Sequence, residues 1–217
     1  FASGRAPVWL GAVLSPLLLL CALTLAHAVN NIFLGWLVFY FALSTAYSFG
    51  LKKLALIDCL TLAMLYTLRL LAGAAAIHIP LSFWLLAFSV FLFLSLAFVK
   101  RYAEMQVHIL HGKNKAHDGG YYSSDAPLIQ MLGITSGFGA GLVLALYLNS
   151  AAVVQQYKTP EWLWGIVPVV LFWVSWMWMQ AHRGKIHDDP LVFAIKDGAS
   201  LCAGVAFVFI LALGSMA

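Results

Sequence analysis

The chain has 217 residues, of which only 9% are charged and 63% are hydrophobic, with twelve Lys and Arg against eight Asp and Glu, and its mean hydropathy is +0.93. A soluble domain of this length needs a polar surface that this composition cannot supply, so soluble folds are excluded and no nucleic-acid partner is expected. Cys21, Cys59 and Cys202 all lie in or beside apolar runs without metal-ligand spacing, and they read as small packing residues.

Lipid is the alternative solvent, and a helix that spans it needs about 20 apolar residues. Seven stretches qualify, at roughly 7–28, 31–50, 54–77, 81–99, 126–149, 161–181 and 198–216. None alternates polar and apolar residues as a barrel strand would. The expected fold is therefore all-α, a polytopic transmembrane helical bundle, with 1–217 forming a single transmembrane domain. Phe1–Pro7 has neither the charged start nor the short apolar core of a signal peptide. The expectation is a chain that begins inside a longer protein and is incomplete at its N-terminus.

The first stretch carries Trp9 at its boundary and Pro16 inside, and it leads into an uncharged link, His27–Asn31. The second ends in Tyr47-Ser48-Phe49-Gly50-Leu51-Lys52-Lys53. Two lysines at a helix end suit the macrodipole and the headgroups; in the functional reading Lys52 binds phosphate and Tyr47 hydrogen-bonds beside it. The third stretch holds Asp58 and, eleven residues on, Arg69. An arginine in mid-span costs about 2.5–3.5 kcal/mol, so it faces a cavity or a partner. Eleven residues at about 100° each return to nearly the same face but rise about 16 Å. Asp58 and Arg69 are thus expected on one inward stripe, out of reach of each other. Arg69 pairs with another helix or contacts a bound anion, and both readings stand.

The fourth stretch ends in Lys100-Arg101-Tyr102-Ala103-Glu104, where Lys100 and Glu104 have i,i+4 spacing for an ion pair. Glu104, His108 and His111 share a helical face, but no further zinc ligand with recognisable spacing follows. Gly119-Gly120 marks a turn, and Ser124 or Asp125 is expected to cap the next helix, with Pro127 in its first turn. Gly133, Gly137 and Gly141 form a ladder of small residues that lets helices approach closely. Trp162 and Trp164 read as interface anchors of the sixth stretch, and Pro168 as a kink inside it. Asp188 and Asp189 precede Pro190 at a helix start, a favoured place for acids; metal binding by the pair is the alternative.

Ten of the twelve basic residues fall in the links on one side, Lys158 alone falls on the other, and Arg69 lies within a span. The positive-inside rule puts the rich side in the cytoplasm, with the first residue inside and the C-terminus outside. Asp58, Glu104, Asp118, Asp125, Asp188, Asp189 and Asp197 lie on or near that same side. The rule does not draw acids there, and a face holding both signs can bind phosphates and divalent metal together.

Ala46-Tyr47-Ser48, Leu51-Lys52, Asp58, Leu68-Arg69, Ala72-Gly73-Ala74, Ser82-Phe83-Trp84 and Lys100-Arg101-Tyr102-Ala103-Glu104 together resemble the UbiA superfamily of intramembrane prenyltransferases. Within it they are most similar to the branch containing decaprenyl-phosphate phosphoribosyltransferase. Phe1-Ala2-Ser3-Gly4-Arg5 resembles the segment that follows the family's first aspartate motif, Asn-Asp-x-x-Asp-x-x-x-Asp. The resemblance implies a fold of nine spans, of which those here would be the third to ninth, in a bacterial plasma membrane. It also implies a lipid-accessible cavity opening to the cytoplasm, Mg²⁺ as cofactor, and a polyprenyl lipid and a diphosphate-bearing co-substrate as partners. The reaction, prenyl transfer or phosphoribosyl transfer to a polyprenyl phosphate, releases diphosphate. On this reading Lys52, Lys100 and Arg101 bind phosphate with help from Tyr47. Asp58 and Glu104 orient these bases or hold metal-bound water, Arg69 lines the cavity, and the main metal ligands lie upstream of Phe1. The chain departs from the family's second motif, Asp-x-x-x-Asp, having only Asp118 and Asp125 in that link; this leans toward the phosphoribosyl branch.

Two rival classes differ in what they require. A membrane transporter would use intramembrane charges as a pathway, yet only Arg69 is deep and no inverted repeat is evident. A non-catalytic membrane scaffold would show no Mg²⁺-dependent binding of a diphosphate.

Overall fold

A computed structural model describes residues 8–110, 120–151, 153, 157, 159–186 and 189–216. Among these, eight α-helices follow one another: α1 Val8–Val29, α2 Asn31–Phe49, α3 Ile57–Ala76, α4 Phe83–Leu110, α5 Ala126–Leu148, α6 Ile166–His182, α7 Pro190–Lys196 and α8 Gly198–Met216. Six helical segments of the described residues are long and apolar enough to cross a membrane. The first expected span is also helical, and its apolar part, Val13–Val29, is shorter than those six. Large apolar side chains stand exposed along the helices, including Leu17, Leu25, Phe39, Leu142, Val205 and Phe209. Apolar exposure on this scale is stable in lipid and not in water. The protein is an integral membrane helical bundle.

The core lies where α4, α5 and α6 meet, around Val99, Met105, Ile129, Met177 and Ala181. The glycine ladder of α5 makes this possible. A Cβ on Gly133 would stand 2.1 Å from the Trp178 ring, on Gly137 2.4 Å from Val174, and on Gly141 2.5 Å from Leu171. Ser95 of α4 completes the contact, donating to the Gly133 carbonyl at 2.7 Å and accepting from the Trp178 indole at 3.0 Å. α3 packs on α4 and α2 on α3, while α8 closes the other flank against α6. α2 buries no residue and lies between α1 and α3. Asn30 anchors it, capping α2 through the Phe33 N–H at 2.7 Å and donating to the Ala75 carbonyl of α3 at 2.9 Å.

Four expectations need correction. The fourth span was expected to stop at residue 99, but α4 runs 28 residues to Leu110. At about 1.5 Å per residue it is about 42 Å long, against about 30 Å of hydrocarbon, so Lys100, Arg101 and Glu104 lie on its last turns, in keeping with the helical spacing read for Lys100 and Glu104. Pro168 does not kink a span: α6 begins at Ile166, after a 3₁₀ segment Pro160–Gly165, so the proline sits in the first turn, where no helical hydrogen bond is lost. Asp125 does not cap α5 with its side chain; its carboxylate accepts from the Tyr122 N–H at 2.9 Å and closes a preceding 3₁₀ turn, Ser123–Asp125. Asp58 and Arg69 are not both inward. Asp58 is fully buried, but no residue from 69 to 76 is buried, because the packing over α3 runs out along its axis even though the angular register is right.

Candidate functional site at the polar end of the bundle

The end of α2, the start of α3, the second half of α4, the end of α6 and the start of α7 meet at one end of the bundle. Long-range contacts join them: Asp58 to Arg101, Tyr121 to Leu56, Tyr102 to His182, and Lys100 to Asp189.

The centre is a buried charge cluster. Arg101 of α4 is buried, and its two terminal nitrogens bind separate carboxylates: one takes Asp58 Oδ2, the other Glu104 Oε2 at 2.6 Å. The second oxygen of Asp58 accepts from the Tyr121 hydroxyl at 2.6 Å. That hydroxyl in turn accepts the Leu56 N–H at 2.6 Å, and the Arg101 guanidinium lies 5.3 Å from the Tyr121 ring centroid. A charge so deep survives only when paired and hydrogen-bonded, and both Asp58 oxygens are. Burial pushes the Tyr121 phenol up from its ordinary value, with the Cys59 thiol and the hydrogen bond to Asp58 acting in the same direction, so it stays a hydrogen-bond donor. Tyr47 of α2, half-buried, lies within electrostatic range of Arg101, Asp58 and Glu104.

Beside the cluster lies a cavity of about 340 Å³ lined by Lys100, Ala103, Glu104, Val107, His108, Ile186 and Asp189. The Lys100 amine sits 4.0 Å from Asp189 Oδ2. Lys100 therefore faces α7, not Glu104 as expected; Arg101, one residue on and directed inward toward Asp58, takes Glu104 at i,i+3 spacing instead. Asp189 caps α7 through the Leu191 N–H at 3.0 Å and accepts from the Tyr66 hydroxyl at 3.3 Å. Lys100, Asp189 and Leu191 also line a small neighbouring space. Leu191 belongs as well to an apolar cleft of about 1110 Å³ between α4, α6, α7 and α8. A polar pocket and an apolar cleft thus lie near each other at the start of α7, lined by Asp189 and Leu191 respectively.

Of the residues singled out from sequence, Asp58, Arg101, Glu104 and Lys100 come together, with Tyr47 near them. Arg101 stands behind the pocket with both terminal nitrogens committed to carboxylates. Lys52 lies on a 3₁₀ turn, Leu51–Lys53, close to the loop that brings in Tyr121. Arg69 pairs with another helix, as one of its two readings had it: its guanidinium donates to the Tyr40 hydroxyl of α2 at 2.6 Å and lies 5.0 Å from the Tyr66 ring centroid. His111, Asp118 and Asp188 lie outside the described residues. Among the described residues no three metal-ligating side chains converge. Sequence reasoning missed Tyr121, Tyr66 and the pocket role of Asp189. The turn signal at Gly119-Gly120 stood next to Tyr121, but nothing in the spacing tied it to Asp58.

This geometry defines an integral membrane helical bundle with a charged pocket at one end and an apolar cleft beside it. Its relatives bear out the UbiA-superfamily resemblance. The chain is 35% identical over 198 residues to decaprenyl-phosphate phosphoribosyltransferase of Mycolicibacterium smegmatis, covering 90% of this chain and 62% of that protein. It is 33% identical over 199 residues to nodulation protein NoeC of Azorhizobium caulinodans, covering 92% of this chain and 64% of that one. It is also 33% identical over 215 residues to the uncharacterized protein y4nM of Sinorhizobium fredii, covering 98% of this chain and 42% of the relative. The chain thus spans between 42% and 64% of the length of these relatives. No family model matches it.

Proposed function

We propose that this chain belongs to a UbiA-type membrane transferase that acts on a polyprenyl phosphate and releases diphosphate from a phosphorylated co-substrate. The observation that carries this reading is the Lys100 pocket opening beside an apolar cleft at Leu191. A lipid phosphate has two parts with opposite solvation needs, an anionic head and a long apolar tail. The pocket meets the first need and the neighbouring cleft the second. Lys100 supplies a compact charge on a flexible stem, suited to a phosphate oxygen. Arg101, Asp58 and Tyr121 hold the helix carrying Lys100 in place, and an oriented cation in a half-buried site stabilises the charge that develops on a leaving diphosphate. The half-exposed Asp189 opposite Lys100 limits the positive charge of the empty pocket. The name of the mycobacterial relative favours phosphoribosyl transfer over prenyl transfer.

Mg²⁺ dependence belongs to the proposal. The described residues do not themselves make a Mg²⁺ site: Glu104 is bound by Arg101, Asp189 caps α7, and no third ligand joins them. The steps assigned to this chain are therefore binding and positioning. The proposed orientation keeps the charged end in the cytoplasm.

The test is transfer by the complete protein in lipid vesicles containing polyprenyl phosphate, given phosphoribosyl diphosphate labelled in the sugar or, separately, prenyl diphosphate with a membrane extract as the source of acceptor, with and without a chelator. Sugar label entering the polyprenyl phosphate supports the favoured branch, and protein-dependent release of diphosphate from the prenyl substrate supports the other. The absence of both removes the transferase reading and favours a transporter or scaffold.

A further inference from the structure

Tyr121 is fully buried, belongs to no long helix, and joins three separate parts of the polar end. Its hydroxyl donates to Asp58 and accepts the backbone N–H of Leu56, and its ring lies under Arg101. Leu56 is the residue just before α3, with φ of +66°. A branched residue rarely holds that conformation unless its surroundings enforce it, and here the Tyr121 hydroxyl is the group that takes its N–H. Gly120 has φ of +68°, and a Cβ there would stand 3.1 Å from the Lys53 carbonyl, so the glycine lets the loop settle against the turn that carries Lys52. One phenol therefore braces the Leu56 backbone, the Asp58 carboxylate and the Arg101 guanidinium together.

We infer that Tyr121 is a positioning residue for anion binding at the Lys100 pocket, acting through Asp58 and Arg101 on the α4 turn that presents Lys100 and Glu104. The inference rests on the pocket reading of the preceding subsection. Tyr121 is not among the residues that line the pocket. Its hydroxyl sets where Asp58 sits, Asp58 sets Arg101, and Arg101 sets Glu104 at the pocket wall. Cys59 packs beside the hydroxyl at 3.7 Å.

The test measures binding of diphosphate to the complete protein in detergent by calorimetry, together with thermal melting. Tyr121→Phe keeps the ring and loses the hydroxyl. We expect diphosphate binding to weaken by about tenfold, the effect of removing one hydrogen bond to a charged group. Leu56→Gly relaxes the strained backbone, keeps the N–H that meets the residue at position 121, and leaves the side chains of Asp58, Arg101 and Glu104 unchanged. In Leu56→Gly/Tyr121→Phe we expect melting to recover while binding stays weak, and this variant keeps the test decisive if Tyr121→Phe alone folds poorly. Wild-type binding in the double variant overturns the inference and makes Tyr121 a purely structural brace. Wild-type binding in folded Tyr121→Phe overturns it as well, and in both cases the pocket reading survives. If the wild-type protein binds no diphosphate, the pocket reading itself fails and the inference falls with it.

Discussion

Arg101 of α4 and Asp58 of α3, 43 positions apart in sequence, form a buried ion pair whose carboxylate has its other oxygen held by Tyr121. The pair locks together two neighbouring helices of the bundle, and the proposed pocket is built against it. Removing Arg101 strands the buried Asp58 charge, whereas removing Asp58 leaves Arg101 paired with Glu104. Arg101→Met is expected to destabilise the protein by about 3–5 kcal/mol, because an unpaired buried carboxylate remains. The double variant Asp58→Asn/Arg101→Met should recover most of that loss. Melting in detergent checks both; equal losses in the single and double variants would show that the pair is not the source.

Lys100 is a different kind of residue. It meets Asp189 at 4.0 Å with side chains 38% and 32% exposed, a geometry that adds little stability. Lys100→Ala should therefore shift stability by less than about 1 kcal/mol and abolish transfer in the complete protein. A correctly inserted Lys100→Ala protein with full activity would remove Lys100 from the site.

Asp189 combines two roles that substitution can separate. Its cap to Leu191 survives in Asp189→Asn, since asparagine caps helices as well as aspartate does, whereas Asp189→Ala loses about 1 kcal/mol. Both variants remove the negative charge facing Lys100. Both are expected to lower the KM for the diphosphate-bearing substrate, with only the alanine variant melting earlier. Unchanged KM in both would show that Asp189 serves α7 alone.

The glycine ladder gives a packing test independent of function. Gly133→Ala puts a methyl group 2.1 Å from the Trp178 ring, where the facing helices leave no room. Overpacking of this kind costs about 1–3 kcal/mol. Gly73→Ala meets nothing within 4 Å and is the matched control; replacing glycine there should leave melting unchanged or raise it by about 0.5–1 kcal/mol through helix propensity.

Several features of the site were legible without coordinates because their cause is local. Asp189 before Pro190 is a capping signature that needs only neighbouring residues, and the cap formed. Gly133, Gly137 and Gly141 signal close approach by spacing alone, though not that Trp178, Val174 and Leu171 fill the space. The partner of Lys100 was not legible, because Lys100 and Glu104 have good helical spacing and only the orientation of α4 against α3 turns Glu104 to Arg101 and Lys100 to α7. Tyr66 and Tyr121 carried no signal for the same reason: their partners are 123 and 63 residues away in sequence.

By itself the sequence determined that this protein lives in a membrane as a helical bundle with its charges gathered at one end, because hydrophobic length and charge placement are properties of contiguous residues. Only the tertiary structure decided which charges meet. An ion pair such as Asp58 with Arg101, or a polar pocket set near an apolar cleft, depends on how far each helix is turned and slid against its neighbour. Those displacements come from side-chain packing between distant segments, including the glycine ladder, and packing leaves no periodic trace in the order of the residues.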